Sequence, residues 1–476
     1  MIYKGYEAVI GLEVHVELMT RSKIFCQCST KFGAVPNTNV CPVCMGEAGS
    51  LPRLNEKAVE LAVLAGGALH CNINEYSAFD RKSYFYPDLP KAYQITQQRY
   101  PICTGGYLDY EVDGQRHRVR IERIHMEEDA GKITYDADGA HIDHNRCGVP
   151  LIEIVTMPDM RCGTEVSAFL KALRSRLLFC RVSDCKMNEG SLRADINLSV
   201  RKAGDTDLGV RTEMKNLNSF KNCEDAVEYE FHRQVDSILS GEKIVQQTRR
   251  YDADKGVTLS MRDKSSEGGY RYFPESDILP LILKQEYVDS VLSKMPPTDT
   301  ERRKEYVSSF SIKESDAAFI TETLSGAEFF ERAAHSSHNA QLTANLIIGQ
   351  VLSNFPPDTE IPIDAQKIAE ISNMWSNNEI NSTTAKKLTK KLCEGDFDVR
   401  GYVEENTLYQ INDKGIILHY VREAIENNPK AIEDYKRGKK TVKKALLGYV
   451  MRAGGGNIDP QLLDQTLSEE LRAFDV

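Results

Sequence analysis

From Tyr6 to about Ile282, short alternating apolar and polar runs separated by Gly, Asn and Asp predict β-strands. The alternation is strictest in Ala8–Leu18, where Leu12, Val14, Val16 and Leu18 face one way and Glu13, His15 and Glu17 the other. Helices are predicted between the strands at Glu56–Leu69, Thr164–Leu178 and Ser219–Leu239, which makes this half α+β. Pro296 and Pro297, inside Lys294–Thr300, interrupt the pattern because consecutive prolines stop a helix and extend the chain. Beyond them, from Glu301 to about Glu405, the period turns helical, broken by a loop at Phe355–Pro362 and with an apolar stripe along Glu379–Leu392. A smaller helical unit is expected from Asn406 onward, so the chain divides into residues 1–295, 296–405 and 406–476.

At 476 residues with 41% hydrophobic side chains, the chain exceeds what one core supports and can fill several. Lys4, Glu7, Glu13 and Glu17 break up the first segment, so it is no signal-peptide core, and no apolar run approaches the roughly 18–20 residues of a membrane span. Twelve unevenly spaced cysteines fit a reducing compartment, and we expect a cytoplasmic protein. A net charge of −10 excludes general coating of nucleic acid, DNA in particular, but not a local basic surface. Such a surface is offered by Lys430–Arg452, where the eight cations Lys430, Lys436, Arg437, Lys439, Lys440, Lys443, Lys444 and Arg452 outweigh Glu433 and Asp434. Phosphate binding and a solvated helix face both explain it.

The acidic positions narrow the chemistry. Glu127, Glu128 and Asp129 stand together before Gly131 and Lys132, and three adjacent acids repel unless a cation lies among them. Glu153 sits alone in the apolar run Pro150–Val155, which is costly unless it is paired or bound to metal. In Glu189–Arg201, Arg193, Asp195, Asn197 and Ser199 share a face, and Val210–Lys215 adds Arg211, Glu213 and Lys215. Each alone reads as well as a solvent-facing edge or a salt bridge. Together they offer hard oxygens for Mg²⁺ and cations for phosphates, the mixture a metal–nucleotide site needs. Neither a P-loop nor a GxGxxG turn occurs. Two aromatic clusters, Tyr84–Asp88 and Tyr270–Pro274, could stack on a base, although core packing is expected for most of their rings.

Cys26-x-Cys28 and, twelve residues on, Cys41-Pro-Val-Cys44-Met-Gly46 form two close pairs, the pattern of a closed structural Zn²⁺ site. Cys71, Cys180 and Cys223 lie in apolar patterns and read as core.

The strings VIGLEVHVEL (Val9–Leu18), DRKSYFYPDLPKAYQI (Asp80–Ile95), RIHMEEDAGK (Arg123–Lys132), PLIEIV (Pro150–Val155), EGSLRADIN (Glu189–Asn197) and EMKNLNSF (Glu213–Phe220) closely resemble the B subunits of the bacterial tRNA-dependent amidotransferases. The resemblance is dense to Pro280 and thinner beyond. It implies a glutamine-synthetase-like antiparallel cradle domain, an all-α domain and a helical tail that contacts tRNA. It also implies a heterotrimer completed by an amidase, the A subunit, and a small C subunit. The implied enzyme is a carbon–nitrogen ligase with glutamine as amide donor, which uses ATP to phosphorylate the side chain of glutamate on tRNA(Gln) or aspartate on tRNA(Asn). By resemblance, Glu13, His15, Glu128 and Glu153 form the Mg²⁺ cage, with Glu128 and Glu153 catalytic, and Asp195 and Glu213 serve the nucleotide-linked Mg²⁺. Lys82 and Lys132 are placed near the phosphoryl oxygens by position alone. The chain departs from the family at Gly454–Pro460, where a Lys-Gly-x-Ala-Asn-Pro turn is usual, and its four cysteines are absent from some members, so zinc would serve folding. No glutaminase Cys–His pair and no amidase Ser-Ser-Lys arrangement is found, so ammonia must come from a partner. Two other readings stay open: a free-standing carboxylate–amine ligase on a small substrate, and a non-catalytic tRNA-binding scaffold.

Overall fold

The computed structural model describes residues 2–263, 270–439 and 441–474, so Lys440 of the basic segment lies outside the described residues. The chain forms two compact units, Met1–Thr298 and Asp299–Val476.

In the first unit the alternating runs become strands β1 (Tyr6–Glu17), β2 (Tyr76–Ser83), β3 (Tyr93–Tyr100), β4 (Gln115–Glu128), β5 (Pro150–Thr156), β6 (Leu192–Lys202), β7 (Thr212–Lys215), β8 (Gln247–Asp252), β9 (Val257–Asp263) and β10 (Arg271–Pro274). The 3.6-period runs become α1 (Glu56–Ala68), α2 (Gly163–Phe179) and α3 (Phe220–Leu239), each within a residue or so of the expected bounds. Side-chain caps fix two of the starts: Asn55 accepts from the Lys57 amide and Ser219 from the Asn222 amide, satisfying donors the helix leaves open.

Most of these strands join an eleven-stranded sheet whose central order is β9-β8-β7-β6-β1-β5-β4. Its neighbours pair antiparallel except β7 and β8, which are parallel and are linked by the crossover helix α3. Leu12, Val14 and Val16 of β1, Ile152 and Ile154 of β5 and Ile196 of β6 are buried on one face, in a core with Val63, Phe169, Leu173 and Phe231 of the helices. Burying each such side chain stabilises the fold by about 1.5–3 kcal/mol. The alternate residues of the same strands, Glu13, His15, Glu153 and Asp195 among them, project from the other face, and there the polar groups collect. A smaller sheet pairs β2 with β3 and β10.

The second unit is helical from Asp299–Ser309 to Pro460–Leu471, with the Phe355–Pro362 stretch outside any helix. Near the C-terminus Ile417, Val421, Leu446, Val450, Leu463 and Leu467 form a core of their own. The basic segment spans the helices Pro429–Lys436 and Thr441–Ala453 and the turn between them, where Lys439 pairs with Asp434, while Lys443 of the second helix pairs with Asp464. Among the described residues no helix is long and apolar enough to cross a membrane.

The two aromatic clusters correct one expectation. Phe85, Tyr86, Tyr270 and Phe273 are exposed rather than core, because they lie on the small sheet's strand β10 or on the chain just outside β2 and β10, and Tyr84 and Tyr270 meet edge to face at 5.6 Å.

Candidate metal and nucleotide site

The site arises from strand register. β5 lies between β4 and β1, and Glu153 is the direct partner of both His125 and His15. Cross-strand partners project from the same face, so the row His125, Glu153, His15 is a consequence of pairing. His125 Nε2 is 3.2 Å and His15 Nε2 3.5 Å from the same oxygen, Glu153 Oε2. Glu127, two residues along β4, adds its carboxylate 3.5 Å from His15 Nε2. His15, Glu127 and Glu153 thus present ligand atoms within 4.8 Å of one another.

A second cluster lies one step along β1. Glu13 pairs with Asp195 of β6, and Glu213 of β7 stands opposite Asn197. Glu13, Asp195 and Glu213 also hold ligand atoms within 4.8 Å, and Lys215 reaches both Asp195 and Glu213. Because Glu13 and His15 are two residues apart on one strand, the two clusters sit roughly 7 Å apart. Asn197 Nδ2 donates to Glu13 at 3.0 Å and Thr248 Oγ1 to Glu213 at 3.0 Å, which fixes the carboxylates in place.

The electrostatics show what is short here. Burial, then the charges of Glu153 and Glu213, push the Glu13 carboxyl above its ordinary value. Burial also opposes charge on Glu153, yet the imidazoles of His125 and His15 hold its carboxyl well below the usual range. His15, despite its burial, is driven up to about 9 by Glu153 and Glu127. Both clusters are stabilised by positive charge.

Glu128 is absent from this gathering. Adjacent strand residues point to opposite faces, so with Glu127 in the row Glu128 turns away. There it is buried, accepts from the Ile95 amide at 2.8 Å and pairs with Lys91. The expected cage of Glu13, His15, Glu128 and Glu153 is thus distributed in space: His15 and Glu153 meet Glu127, and Glu13 joins Asp195 and Glu213.

Comparison with known proteins decides what this arrangement belongs to. The family model described as the GatB/GatE catalytic domain matches residues 8–289, and a second, the GatB domain, matches 328–471. The chain belongs to the GatB/GatE family. It is 46% identical over 98% of its length to the B subunit of the aspartyl/glutamyl-tRNA(Asn/Gln) amidotransferase of Caldicellulosiruptor bescii, covering 99% of that protein. The B subunits of the same name from Caldanaerobacter subterraneus and Clostridium tetani are 47% and 45% identical over the same shares. GatB/GatE membership accords with a sheet-rich first domain followed by helical ones.

Of the remaining predicted residues in this GatB/GatE chain, Lys82 comes to the first cluster and Lys132 does not. Lys82 lies over the Tyr270 ring at 4.5 Å, and although burial opposes its charge, Glu127, Tyr272, Tyr270 and Glu153 raise its pKa. Lys132 is exposed on a separate hairpin, Lys132–Asp136 with Gly139–Asp143. Read residue by residue, the sequence marks Glu127 only as one of three adjacent acids, the cage implied by resemblance takes Glu128 in its place, and His125 is not singled out. Their signal was present, since 123, 125 and 127 share the parity that faces Glu153, but only register shows that Glu153 lies opposite 125.

Cys26, Cys28, Cys41 and Cys44 also converge, with ligand atoms within 4.8 Å. Pro42–Met45 is a single helical turn closed by Gly46 at φ 70°, which aims Cys41 and Cys44 at one point. Their sulfurs are 3.9 Å apart, close to the about 3.8 Å edge of a tetrahedron with Zn–S bonds of 2.3 Å. The thiol of Cys26 and, more weakly, Lys23 pull Cys44 down to about 4, the thiolate form a metal takes. All twelve cysteines are free of disulfides.

Proposed function

We propose that this chain serves as the B subunit within a tRNA-dependent amidotransferase and that the polar face of its large sheet phosphorylates the side-chain carboxylate of an amino acid misacylated onto tRNA. The observation that carries the proposal is the row of two adjacent clusters of groups able to hold a divalent cation, His15–Glu127–Glu153 and Glu13–Asp195–Glu213, roughly 7 Å apart along one strand. Two such clusters suit a triphosphate, and Mg²⁺ held there would supply neutralisation of the phosphate oxygens. Family membership and the B-subunit names of the relatives support the same reading.

A carboxylate is a poor electrophile and must first gain a leaving group. A side-chain oxygen of tRNA-bound glutamate or aspartate attacks the γ-phosphorus of ATP, and the bond from that phosphorus to the bridging oxygen breaks to release ADP. Ammonia then adds to the acyl carbon, the carbon–oxygen bond to phosphate breaks, and amide, phosphate and one proton leave. Within this scheme Lys82 faces the phosphoryl oxygens, and the Tyr84 and Tyr270 rings around it exclude water from one side. Asp195 and Glu213 would hold the nucleotide-linked Mg²⁺, with Lys215, which pairs with both, placed to take phosphate charge. The ammonia comes from the amidase, which is the A subunit of the heterotrimer and is held with the small C subunit. The basic helices near the C-terminus meet the tRNA body through phosphates. Cys26, Cys28, Cys41 and Cys44 would hold zinc as a staple of the fold, outside the chemistry.

The test is an omission series on the purified heterotrimer with ATP, Mg²⁺, glutamine and Glu-tRNA(Gln) or Asp-tRNA(Asn). ADP release should require the misacylated tRNA, and free glutamate should not replace it. ATP consumption that persists on free glutamate would support a free-standing ligase, and full amidation by a Glu153→Gln variant would leave only a scaffold.

A further inference from the structure

Arg193 is a cation on the polar face of the large sheet that the proposed chemistry leaves unused. In β6 it lies two residues from Asp195 and pairs across to His15 of β1. The row His125, Glu153, His15 therefore continues onto a fourth strand and ends on a guanidinium. Directly opposed side chains stand about 5 Å apart and i, i+2 neighbours roughly 7 Å, so Arg193 borders both clusters.

Asp129 holds it there. Arg193 Nη2 lies 3.0 Å from Asp129 Oδ2, yet that oxygen accepts no aligned hydrogen bond. Asp129 also has a second cation, Arg146, whose Nε is 3.4 Å away and whose N–H groups are spent on the carbonyls of Ala130 and Gly131 at 3.0 and 2.7 Å. Among the described residues the guanidinium of Arg193 has no other ion pair. Burial opposes its charge, and Asp129, Glu17 and Glu127 sustain it.

The other cations of this face are committed differently. Lys215 is held by Asp195 and Glu213, and Lys82 lies over the Tyr270 ring. Both are point charges, whereas a guanidinium presents its N–H donors as a planar fork that matches two oxygens of one phosphate.

We infer that Arg193 is a further catalytic residue, the guanidinium that binds the phosphoryl group during its transfer. As the bond from the γ-phosphorus to the bridging oxygen breaks and the bond to the side-chain carboxylate oxygen forms, two N–H groups of Arg193 donate to two non-bridging oxygens and no proton moves. The charge spread over those oxygens is what such a fork stabilises. The inference rests on the reading that this face phosphorylates a carboxylate, and it adds the residue that holds the group in flight.

The experiment uses the purified heterotrimer with ATP, Mg²⁺ and misacylated tRNA. Arg193→Lys keeps a cation for Asp129 and removes the fork. It should lower kcat for ADP release at least about 100-fold, while KM for ATP and for the tRNA stays within about 3-fold. Affinity for ADP with aluminium fluoride, a mimic of the group in flight, should fall at least about 10-fold, with affinity for ADP alone unchanged. In the wild type an arginine-selective dicarbonyl should label Arg193, as read by mass spectrometry. ADP with aluminium fluoride should protect it and ADP alone should not, a result that needs no variant to fold. Full kcat in Arg193→Lys, a loss confined to KM for the tRNA, or labelling indifferent to aluminium fluoride overturns the inference and leaves the proposed function standing. A wild type that releases no ADP on misacylated tRNA would overturn both.

Discussion

Glu153 stands directly between His125 and His15 on three adjacent antiparallel strands, and both imidazoles reach the same oxygen of its carboxylate, at 3.2 and 3.5 Å. One side chain from the otherwise apolar run Pro150–Val155 thereby organises the first cluster, and its loss should be felt before that of any neighbour.

Glu153→Gln should lower ATP-dependent phosphorylation of misacylated tRNA at least about 100-fold while leaving tRNA affinity within about 2-fold. Phosphate release and a filter-binding assay on the same heterotrimer check the two halves. Unchanged turnover would show that the row of carboxylates is not the phosphorylating site.

Glu127 and Glu128 are adjacent in sequence and opposite in space, so their variants should fail differently. Glu127→Gln should weaken metal binding with little change in stability. Glu128→Ala should leave the Lys91 ammonium, 7% exposed, without its partner and cost about 3–5 kcal/mol by urea denaturation. Much of that loss should return in Glu128→Leu with Lys91→Met. Gly46 matters to the same pair, because a Cβ there would lie 2.6 Å from Lys91 Cγ, so Gly46→Ala should disturb Lys91 as well as the cysteine turn.

Zinc should be found at one ion per chain, and Cys26→Ser or Cys44→Ser should release it. Removing the metal should lower the melting temperature without altering the apparent affinity for ATP, as a closed structural site requires. Zinc content by atomic absorption beside a thermal scan tests both; loss of zinc with unchanged stability would refute a stapling role.

Burial, followed by the charge of Asp129, pushes the Glu17 carboxyl up to about 8. Its unfolded value is about 4.3. A carboxyl that binds its proton more tightly when folded costs nothing below the unfolded value, and destabilises the fold increasingly as pH rises from there toward 8. Glu17→Gln should therefore raise the melting temperature of metal-free protein at pH 8 more than at pH 5, by a difference on the order of a degree or two. An equal effect at both pH values would show that the proton is not held.

Much of this protein could be read from its residues in order. Period 2 in Ala8–Leu18 and Glu189–Arg201, and period 3.6 in Thr164–Leu178 and Ser219–Leu239, give elements whose observed bounds differ by only a few residues, because burial of one face acts locally on those patterns. The spacing of Cys26, Cys28, Cys41 and Cys44 announced a knuckle for the same reason, since its geometry is set by one short stretch of chain. Family strings supplied Glu13, His15, Glu153, Asp195 and Glu213 as acids and imidazole of a common site. Periodicity assigns each side chain to a face but not to a neighbour, and neighbours are set by which strands pair and in what register. Only the folded sheet could seat Glu153 between His125 and His15, turn Glu127 toward them and Glu128 toward Lys91, and leave Lys132 on a hairpin of its own.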